Sequence, residues 1–151
     1  MMAIQTETDM GPHREITKLE CNMDDMTGED IAFAMEQLFQ AGAHEVYTQA
    51  VGMKKGRPGI LLNVICKPED ADRMAALIMK YTTTIGVRRQ DMRSYVLDRS
   101  VEKVSTVYGD LRLKIASGMG VERSKPEYED VARLSREHGV SPETIRKRID
   151  G

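Results

Sequence analysis

The chain has 151 residues, of which 40% are hydrophobic and 30% charged, a composition typical of one globular domain rather than of a disordered or fibrous chain. The net charge of -2 argues against a general attraction to nucleic acid or to acidic membranes, so any basic site has to be local. No stretch approaches the roughly 20 apolar residues of a membrane span, and residues 1–14, which lack the apolar core of a signal peptide, are expected to form a polar, flexible leader. These features predict a cytoplasmic protein.

The first half of the chain predicts strands and helices in the order β-α-β-β-α-β. Residues 15–23 alternate in polarity and indicate a strand, and Thr27 is a suitable N-cap for a helix that stops at Gly42. Two further strands, over 45–53 and 60–66, flank a glycine-rich turn. A second helix opens at Pro68, and a long fourth strand is predicted over Ile85–Leu97. This order is that of a ferredoxin-like core.

The second half predicts a β-hairpin followed by two short helices. Residues 101–107 and 111–116 are expected to pair across the turn Tyr108-Gly109-Asp110. Gly118-Met119-Gly120 then leads to a helix that ends near Gly139 and to a second helix capped by Ser141. The fold class predicted is α+β, with a ferredoxin-like domain over 15–98. The hairpin and C-terminal helices over 99–151 are expected to pack as part of the same domain.

The cysteines and histidines do not indicate a metal centre or a nucleophile. Cys21 and Cys66 lie in predicted strands without a CxxC spacing, which favours two reduced core thiols over a disulfide. His13, His44 and His138 are widely separated in the sequence. Each is therefore better interpreted as a surface residue or a helix-end residue than as a metal ligand.

Three loops of unusual composition are predicted to meet at one end of the sheet. Each crossover helix returns the chain to the end where the preceding strand began, so the first two strands run the same way and the third runs back. The loop after the first strand, the turn between the second and third, and the loop entering the fourth therefore share one edge. They cover residues 22–29, 52–59 and 82–89.

The first of these loops carries adjacent carboxylates, Asp24 and Asp25, directly before a helix. Such a pair can hold a hard divalent cation that also contacts phosphate oxygens. The alternative is that these acids only offset the positive end of the helix dipole. Spacing alone favours this alternative.

The second loop combines three cations, Lys54, Lys55 and Arg57, with three glycines. Glycine lets backbone N–H groups approach an anion closely, while lysine and arginine add charge and forked hydrogen bonds. A solvated basic hairpin tip is an equally good interpretation. The loop lacks the spacing of a Walker A motif.

The third loop offers the hydroxyl groups of Thr83 and Thr84 together with the guanidinium of Arg88, which suit contacts to phosphate or ribose. Alone, it is better interpreted as an exposed entry to a strand. The three loops together make a stronger case, because acids for a metal beside cations for phosphates are what a metal–nucleotide requires.

The same loops resemble the LarC nickel-insertion family. The resemblance is carried by four ordered motifs, NMDDMTGE at 22–29, MKKGRPG at 53–59, TTIGVR at 83–88 and KPEYED at 125–130. It extends over about residues 15–149 and matches the C-terminal portion of the family, the part associated with CTP.

The resemblance implies a role in completing the nickel-pincer nucleotide cofactor of lactate racemase and related enzymes. The family inserts nickel into a pyridinium bisthiocarboxylate mononucleotide, forms a carbon–nickel bond, and consumes CTP with Mg or Mn. By this resemblance Asp24 and Asp25 would hold the divalent ion, and the nucleotide ligands would be the basic and hydroxyl residues Lys54, Lys55, Arg57, Thr83, Thr84 and Arg88. The chain would then be a metal–CTP-binding component of a lyase- or chelatase-class enzyme, and a homo-oligomer.

The resemblance also implies a partner. The family's N-terminal portion and its His-rich segment have no counterpart in this sequence, so nickel is not expected to bind this chain alone. The N-terminal portion is expected to act in cis or in trans. An excised domain, a split subunit and a stand-alone relative all remain open.

Two other functions fit parts of the sequence. A ferredoxin-like domain can equally be a non-enzymatic module that senses a nucleotide or another small anion. The C-terminal helices carry Leu134, Gly139, Val140 and Ile145 near the spacing of a helix-turn-helix, but two helices and a negative net charge favour a packed αα-hairpin over DNA binding.

Overall fold

The computed structural model of the protein describes residues 13–149, which form strands and helices in the predicted order with one addition. The predicted leader lies outside the described residues except for His13 and Arg14, which belong to the first strand. The elements are β1 (His13–Met23), α1 (Gly28–Gln40), β2 (Glu45–Gly52), β3 (Pro58–Cys66), α2 (Ala71–Tyr81), β4 (Arg88–Tyr95), β5 (Asp98–Thr106), β6 (Gly109–Gly118), β7 (Val121–Pro126), α3 (Tyr128–His138) and α4 (Pro142–Arg146).

The chain divides into two compact units, one over Arg14–Ser94 and the other from Tyr95 onward. The first unit contains a four-stranded sheet with α1 and α2, and the second contains a three-stranded sheet with α3 and α4. The α+β class, with antiparallel sheets and a C-terminal pair of helices, is thereby confirmed. That both units form a single domain stays a prediction.

The first sheet has the strand order β2-β3-β1-β4, which is the ferredoxin-like order. β3 pairs antiparallel with β1, where Leu19 lies opposite Val64, and antiparallel with β2, where Val46 also lies opposite Val64. Since β1 and β2 both run against β3, they run parallel to each other. The loop after β1 and the turn between β2 and β3 therefore lie at the same end of the sheet.

One face of this sheet packs against α1 and α2. Alternate residues of β1 and β3, together with Val46 of β2, face the helices, as the period of a half-buried strand requires. This core contains Cys21 and Cys66, and both thiols are free, as predicted. Its buried residues are Leu19, Cys21, Met23, Leu38, Val46, Leu62, Val64, Cys66, Ala71, Met74 and Ile78.

The fourth strand is shorter than predicted. It begins at Arg88 instead of Ile85, whose side chain is 100% exposed. The preceding threonines explain the difference, because their hydroxyl groups donate to nearby backbone carbonyls and hold a loop. Thr82 Oγ1 donates to the carbonyl of Ile78 at 2.6 Å, and Thr84 Oγ1 donates to the carbonyl of Gly86 at 2.8 Å.

The second unit adds a strand that the sequence pattern did not predict. The predicted hairpin is present as β5 and β6, but β7 then pairs antiparallel with β6 to give the order β5-β6-β7. The reversal is made at Gly118-Met119-Gly120, where φ is positive at all three residues. The sequence VERSKP of β7 has no alternation of apolar residues, so only its backbone pairing with β6 identifies it as a strand.

The C-terminal helices form the predicted αα-hairpin. Gly139, with φ of 61°, ends α3, and the Ser141 side chain accepts a hydrogen bond from Thr144 N at 3.2 Å at the start of α4. Leu134 and Ile145 are buried in a second core with Leu111 and Val131. Within residues 13–149, no helix has the length and apolar character needed to cross a lipid bilayer.

An ion pair joins α3 to the second sheet. The Asp130 carboxylate accepts hydrogen bonds from Arg112 through Nε at 3.0 Å, Nη2 at 3.1 Å and the backbone N–H at 2.7 Å. These hydrogen bonds, led by those of the guanidinium, lower the pKa of Asp130 from 3.8 to about 2. A carboxyl whose pKa is lowered on folding stabilises the fold above its ordinary pKa, and this stabilisation is lost as the pH falls.

We therefore predict that Asp130 contributes stability that disappears between about pH 4 and pH 2. Asp130→Asn should lower the free energy of unfolding at neutral pH by about 1–2 kcal/mol, a value reduced by the solvent exposure of Arg112. In this variant the free energy of unfolding should also decrease less as the pH falls from about 5 to about 2, as measured by urea denaturation. The exposed neighbour variant Glu129→Gln should keep the wild-type acid profile, and an unchanged profile in Asp130→Asn would contradict the assignment.

Candidate functional site

The acidic loop connects β1 to α1 and carries Asp24 and Asp25. Thr27 lies at its end as the N-cap of α1, where its side chain accepts a hydrogen bond from Asp30 N at 3.2 Å. The cap that was predicted from the sequence is confirmed, and it fixes the position at which the loop turns into the helix. Both aspartates precede this cap and are solvent-accessible.

The basic loop connects β2 to β3 and consists of one turn of 3₁₀-helix over Lys54–Gly56. A hydrogen bond from Met53 N to the carbonyl of Arg57, at 2.8 Å, closes the loop. Lys55 has φ of 62° and ψ of 25°, a left-handed conformation that costs a residue other than glycine on the order of 1 kcal/mol. Among residues 13–149, neither Lys54 nor Lys55 has a carboxylate partner, so two ammonium groups are exposed at the tip.

The three loops meet as the topology predicts. Arg57 Nη1 of the basic loop lies 3.6 Å from Asp24 Oδ2 of the acidic loop. Thr83 Oγ1, in the loop before β4, donates to Asp25 Oδ1 at 2.5 Å. Each aspartate thus contacts a different loop, and the acidic loop lies between the other two.

The remaining predicted residues lie at the side of this cluster. Arg88, the first residue of β4, donates from Nε to Glu20 Oε1 at 3.0 Å and also to the side-chain oxygen of Asn22. The Thr84 hydroxyl donates to the carbonyl of Gly86 and is not directed to either aspartate. Arg88 therefore borders the acidic loop through Asn22, while Thr84 shapes the loop that presents Thr83.

The sequence analysis missed Glu20 as a partner of Arg88. The guanidinium lowers the pKa of the Glu20 carboxyl, chiefly through the hydrogen bond, so this acid stays charged. The sequence contained part of this information, because the alternation of β1 places Glu20 and Asn22 on the same face of the strand. Which residue of β4 would face them could not be obtained without the register.

Gly59 sets the distance between the acidic and basic loops. A Cβ atom at this position would lie 2.7 Å from the backbone oxygen of Met23 and 2.5 Å from Met53 Sδ. Met23 ends β1 and Met53 begins the basic loop. Only glycine lets the start of β3 pass this close to both, so Gly59 is a second site residue that the sequence analysis did not single out.

The residues of the cluster suit a divalent ion that arrives with phosphate. Among the described residues, no group of three or more His, Cys, Asp or Glu side chains could hold a metal ion alone. Mg²⁺ and Mn²⁺ commonly bind through one or two carboxylates together with waters and substrate phosphates. Asp24 and Asp25 can supply those carboxylates, and Arg57 lies beside Asp24 in the loop that also carries Lys54 and Lys55, cations suited to phosphate oxygens.

Comparison with known proteins places the chain in a family. A family model described as nickel insertion protein matches residues 1–146. The chain belongs to this family. The sequence resemblance to this family is thereby confirmed.

Individual relatives agree with this placement. The chain is 37% identical over 149 residues to the pyridinium-3,5-bisthiocarboxylic acid mononucleotide nickel insertion protein of Alkaliphilus metalliredigens, covering 99% of this chain and 35% of that protein. It is 38% identical over 130 residues to the protein of the same name from Lactiplantibacillus plantarum, covering 86% of this chain and 31% of that protein. The chain therefore spans about a third of the length of the curated relatives it matches.

A solved structure shares the fold. It is LarC2, the C-terminal domain of a cyclometallase involved in the synthesis of the NPN cofactor of lactate racemase, in its apo form. The TM-score is 0.79 with 36% identity, and the match covers 91% of this chain and 95% of that domain. The chain thus has the fold of this C-terminal domain, as the resemblance carried by the motifs predicted.

We predict that Gly59→Ala lowers the free energy of unfolding by about 1–3 kcal/mol, because the new methyl group overlaps a backbone oxygen that cannot move freely. Gly52→Ala is the matched control, since a Cβ there meets no atom within 4 Å. It should be neutral or stabilising by up to about 1 kcal/mol. Urea denaturation followed by circular dichroism measures both, and equal unfolding midpoints for Gly59→Ala and the wild type would exclude the close approach.

Proposed function

We propose that this chain is the metal–CTP-binding component of an enzyme that inserts nickel into a nickel-pincer nucleotide cofactor. The observation that supports the proposal is the meeting of the acidic loop with the other two loops, through Asp24 with Arg57 and Asp25 with Thr83. Membership of the nickel insertion family supplies the reaction class. The cytoplasmic location and the homo-oligomer belong to the same proposal.

The cluster divides into ligands for the metal and ligands for the nucleotide. Asp24 and Asp25 would hold Mg²⁺ or Mn²⁺, which would neutralise phosphate charge. The nucleotide ligands would be the cations and hydroxyl groups around them, Lys54, Lys55, Arg57, Thr83, Thr84 and Arg88. Catalysis of CTP cleavage would then be positioning and charge stabilisation by preorganised groups.

The Asp24–Arg57 pair is suited to opening when the ligand binds. Side-chain exposure is 22% for Asp24 and 55% for Arg57, and the separation of 3.6 Å is long for an ion pair. Such exposed pairs contribute about 0–1 kcal/mol, so exchanging them costs little. Asp24 can exchange the guanidinium for a divalent cation while Arg57 exchanges the carboxylate for a phosphate oxygen, which leaves both charges compensated.

Nickel would be a substrate that another part of the enzyme binds. The described residues contain no cluster of His, Cys, Asp or Glu that would bind it. The relatives are about three times as long as this chain, and their names specify a pyridinium bisthiocarboxylic acid mononucleotide. We therefore propose that an N-terminal portion, in cis or in trans, brings nickel and acts together with this chain on the mononucleotide.

Calorimetry on the 151-residue chain tests the proposal. CTP with Mn²⁺ should bind with measurable heat, ATP with Mn²⁺ should bind more weakly, and CTP with EDTA should not bind. Equal binding of CTP and ATP, or binding unaffected by EDTA, would contradict a metal–CTP site. Binding of CTP without any turnover, with the N-terminal portion, nickel and the mononucleotide all present, would identify a sensing module instead.

Variants of the loops locate the binding. Asp24→Asn combined with Asp25→Asn, and Lys54→Gln combined with Lys55→Gln, should each weaken CTP–Mn²⁺ binding about tenfold or more, because charge-assisted contacts are lost. Lys67→Gln is the matched control, because this exposed lysine follows β3 at the opposite end of the strand from the basic loop. Equal affinities in all three variants would place the nucleotide away from these loops.

A further inference from the structure

The second sheet carries a concave surface that the CTP site does not use. A cavity of about 610 Å³ lies on this sheet, a volume within the range of small-molecule sites. All its lining residues come from β5, β6 and β7. They are Arg99, Ser100, Val101, Lys114, Ile115, Ala116, Arg123, Ser124 and Lys125.

The strand register places six of these side chains on one face. Residues directly opposite each other in antiparallel strands share a face, and the next but one along each strand joins them. Two rows result, the first Arg99, Ala116 and Arg123, and the second Val101, Lys114 and Lys125. We call these six residues the basic face. It has four cations around two apolar side chains.

The next row of the same face shows how this protein compensates charge within the fold. Lys103 and Arg112 lie opposite each other, and each has its own carboxylate. Lys103 Nζ lies 2.8 Å from Asp110 Oδ2, and Arg112 binds Asp130. These cations therefore need no external anion.

The basic face lacks this compensation. Lys114 Nζ lies 3.1 Å from Glu127 Oε2, but Arg99, Arg123 and Lys125 have no carboxylate partner among residues 13–149. Lys125 lies directly opposite Lys114, and like charges at such positions destabilise a strand pair. An anion bound between them would remove this repulsion.

The apolar residues define the kind of anion. Val101, on the edge strand β5, is 59% exposed, and Ala116, on the central strand β6, adds a small apolar surface between two arginines. A flat ring can lie on such a surface while its charged substituents meet the surrounding cations. A free phosphate ion would leave the apolar part of the cavity unused.

We propose that the basic face binds a small organic anion in which a flat ring carries a carboxylate or thiocarboxylate and a sugar attached to the ring carries a phosphate. A pyridinium mononucleotide, the class that the relatives' names specify, has this chemistry. Only the choice of this ligand class rests on the proposed function. The charges and the cavity are properties of the second sheet alone. The cations bind the phosphate and the carboxylate, and Val101 and Ala116 contact the ring.

Nicotinic acid mononucleotide, which has a pyridinium ring, one carboxylate and one phosphate, is a suitable probe. Titrated into the ¹⁵N-labelled 151-residue chain, it should shift amide signals of β5, β6 and β7 at millimolar concentration. Nicotinic acid riboside, which lacks the phosphate, and inorganic phosphate, which lacks the ring, should each bind about tenfold more weakly. Equal binding of inorganic phosphate would overturn the role of the apolar surface, and tighter binding of duplex DNA would overturn the small-molecule assignment.

Variants connect the shifts to the cations. Arg99→Gln combined with Arg123→Gln should weaken binding of the probe about tenfold, whereas Arg136→Gln, an exposed arginine on α3, should not change it. CTP–Mn²⁺ binding should be unchanged in both variants, which separates this proposal from the proposed function. If the probe fails to bind while CTP–Mn²⁺ binds, only the basic face is refuted. If the probe binds while CTP–Mn²⁺ does not, only the CTP site is refuted.

Discussion

β3 pairs with β1 on one side and with β2 on the other, and this double antiparallel pairing decides where the loops of the first sheet lie. Because β1 and β2 run the same way, the acidic loop leaves β1 at the end where the basic loop joins β2 to β3. Gly59 lets the two loops approach closely, since any side chain there would meet the Met23 backbone oxygen. The chemistry of the proposed CTP site depends on this pairing.

The charges of the protein are distributed locally within a chain of low net charge. Although the net charge is only -2, the basic loop carries a local positive charge where it contacts the acidic loop. The basic face on the second sheet is another local concentration of positive charge. Some cations pair with carboxylates within the fold, as Arg112 does with Asp130. Lys54 and Lys55 have no such partner within residues 13–149, and uncompensated cations of this kind are available to an external anion.

Much of the fold could be predicted from the sequence because its signals are local. The Thr27 cap, the alternation in β1 and the glycine-rich turn are short-range features, and together they fix the order of elements in the first unit. Convergence of the loops followed from topology alone. The site residues were predicted by type and by position, and the contacts of Asp24 and Asp25 show that they meet the other loops.

The features that were missed depend on pairing between distant segments. β7 has no apolar alternation and exists as a strand because β6 supplies hydrogen-bonding partners. The partnership of Arg88 with Glu20 depends on the register of β4, and the left-handed conformation of Lys55 has no signal in a lysine side chain. Long-range register is the information that composition and periodicity do not contain.

Paramagnetic relaxation by Mn²⁺ tests the central claim most directly, because it measures proximity of the metal to all three loops at once. With CTP present, one equivalent of Mn²⁺ should broaden the amide signals of residues 23–29, 53–59 and 82–88 together, and without CTP the broadening should be much weaker. Broadening confined to one of these loops, or of equal strength without the nucleotide, would contradict a shared metal–CTP site.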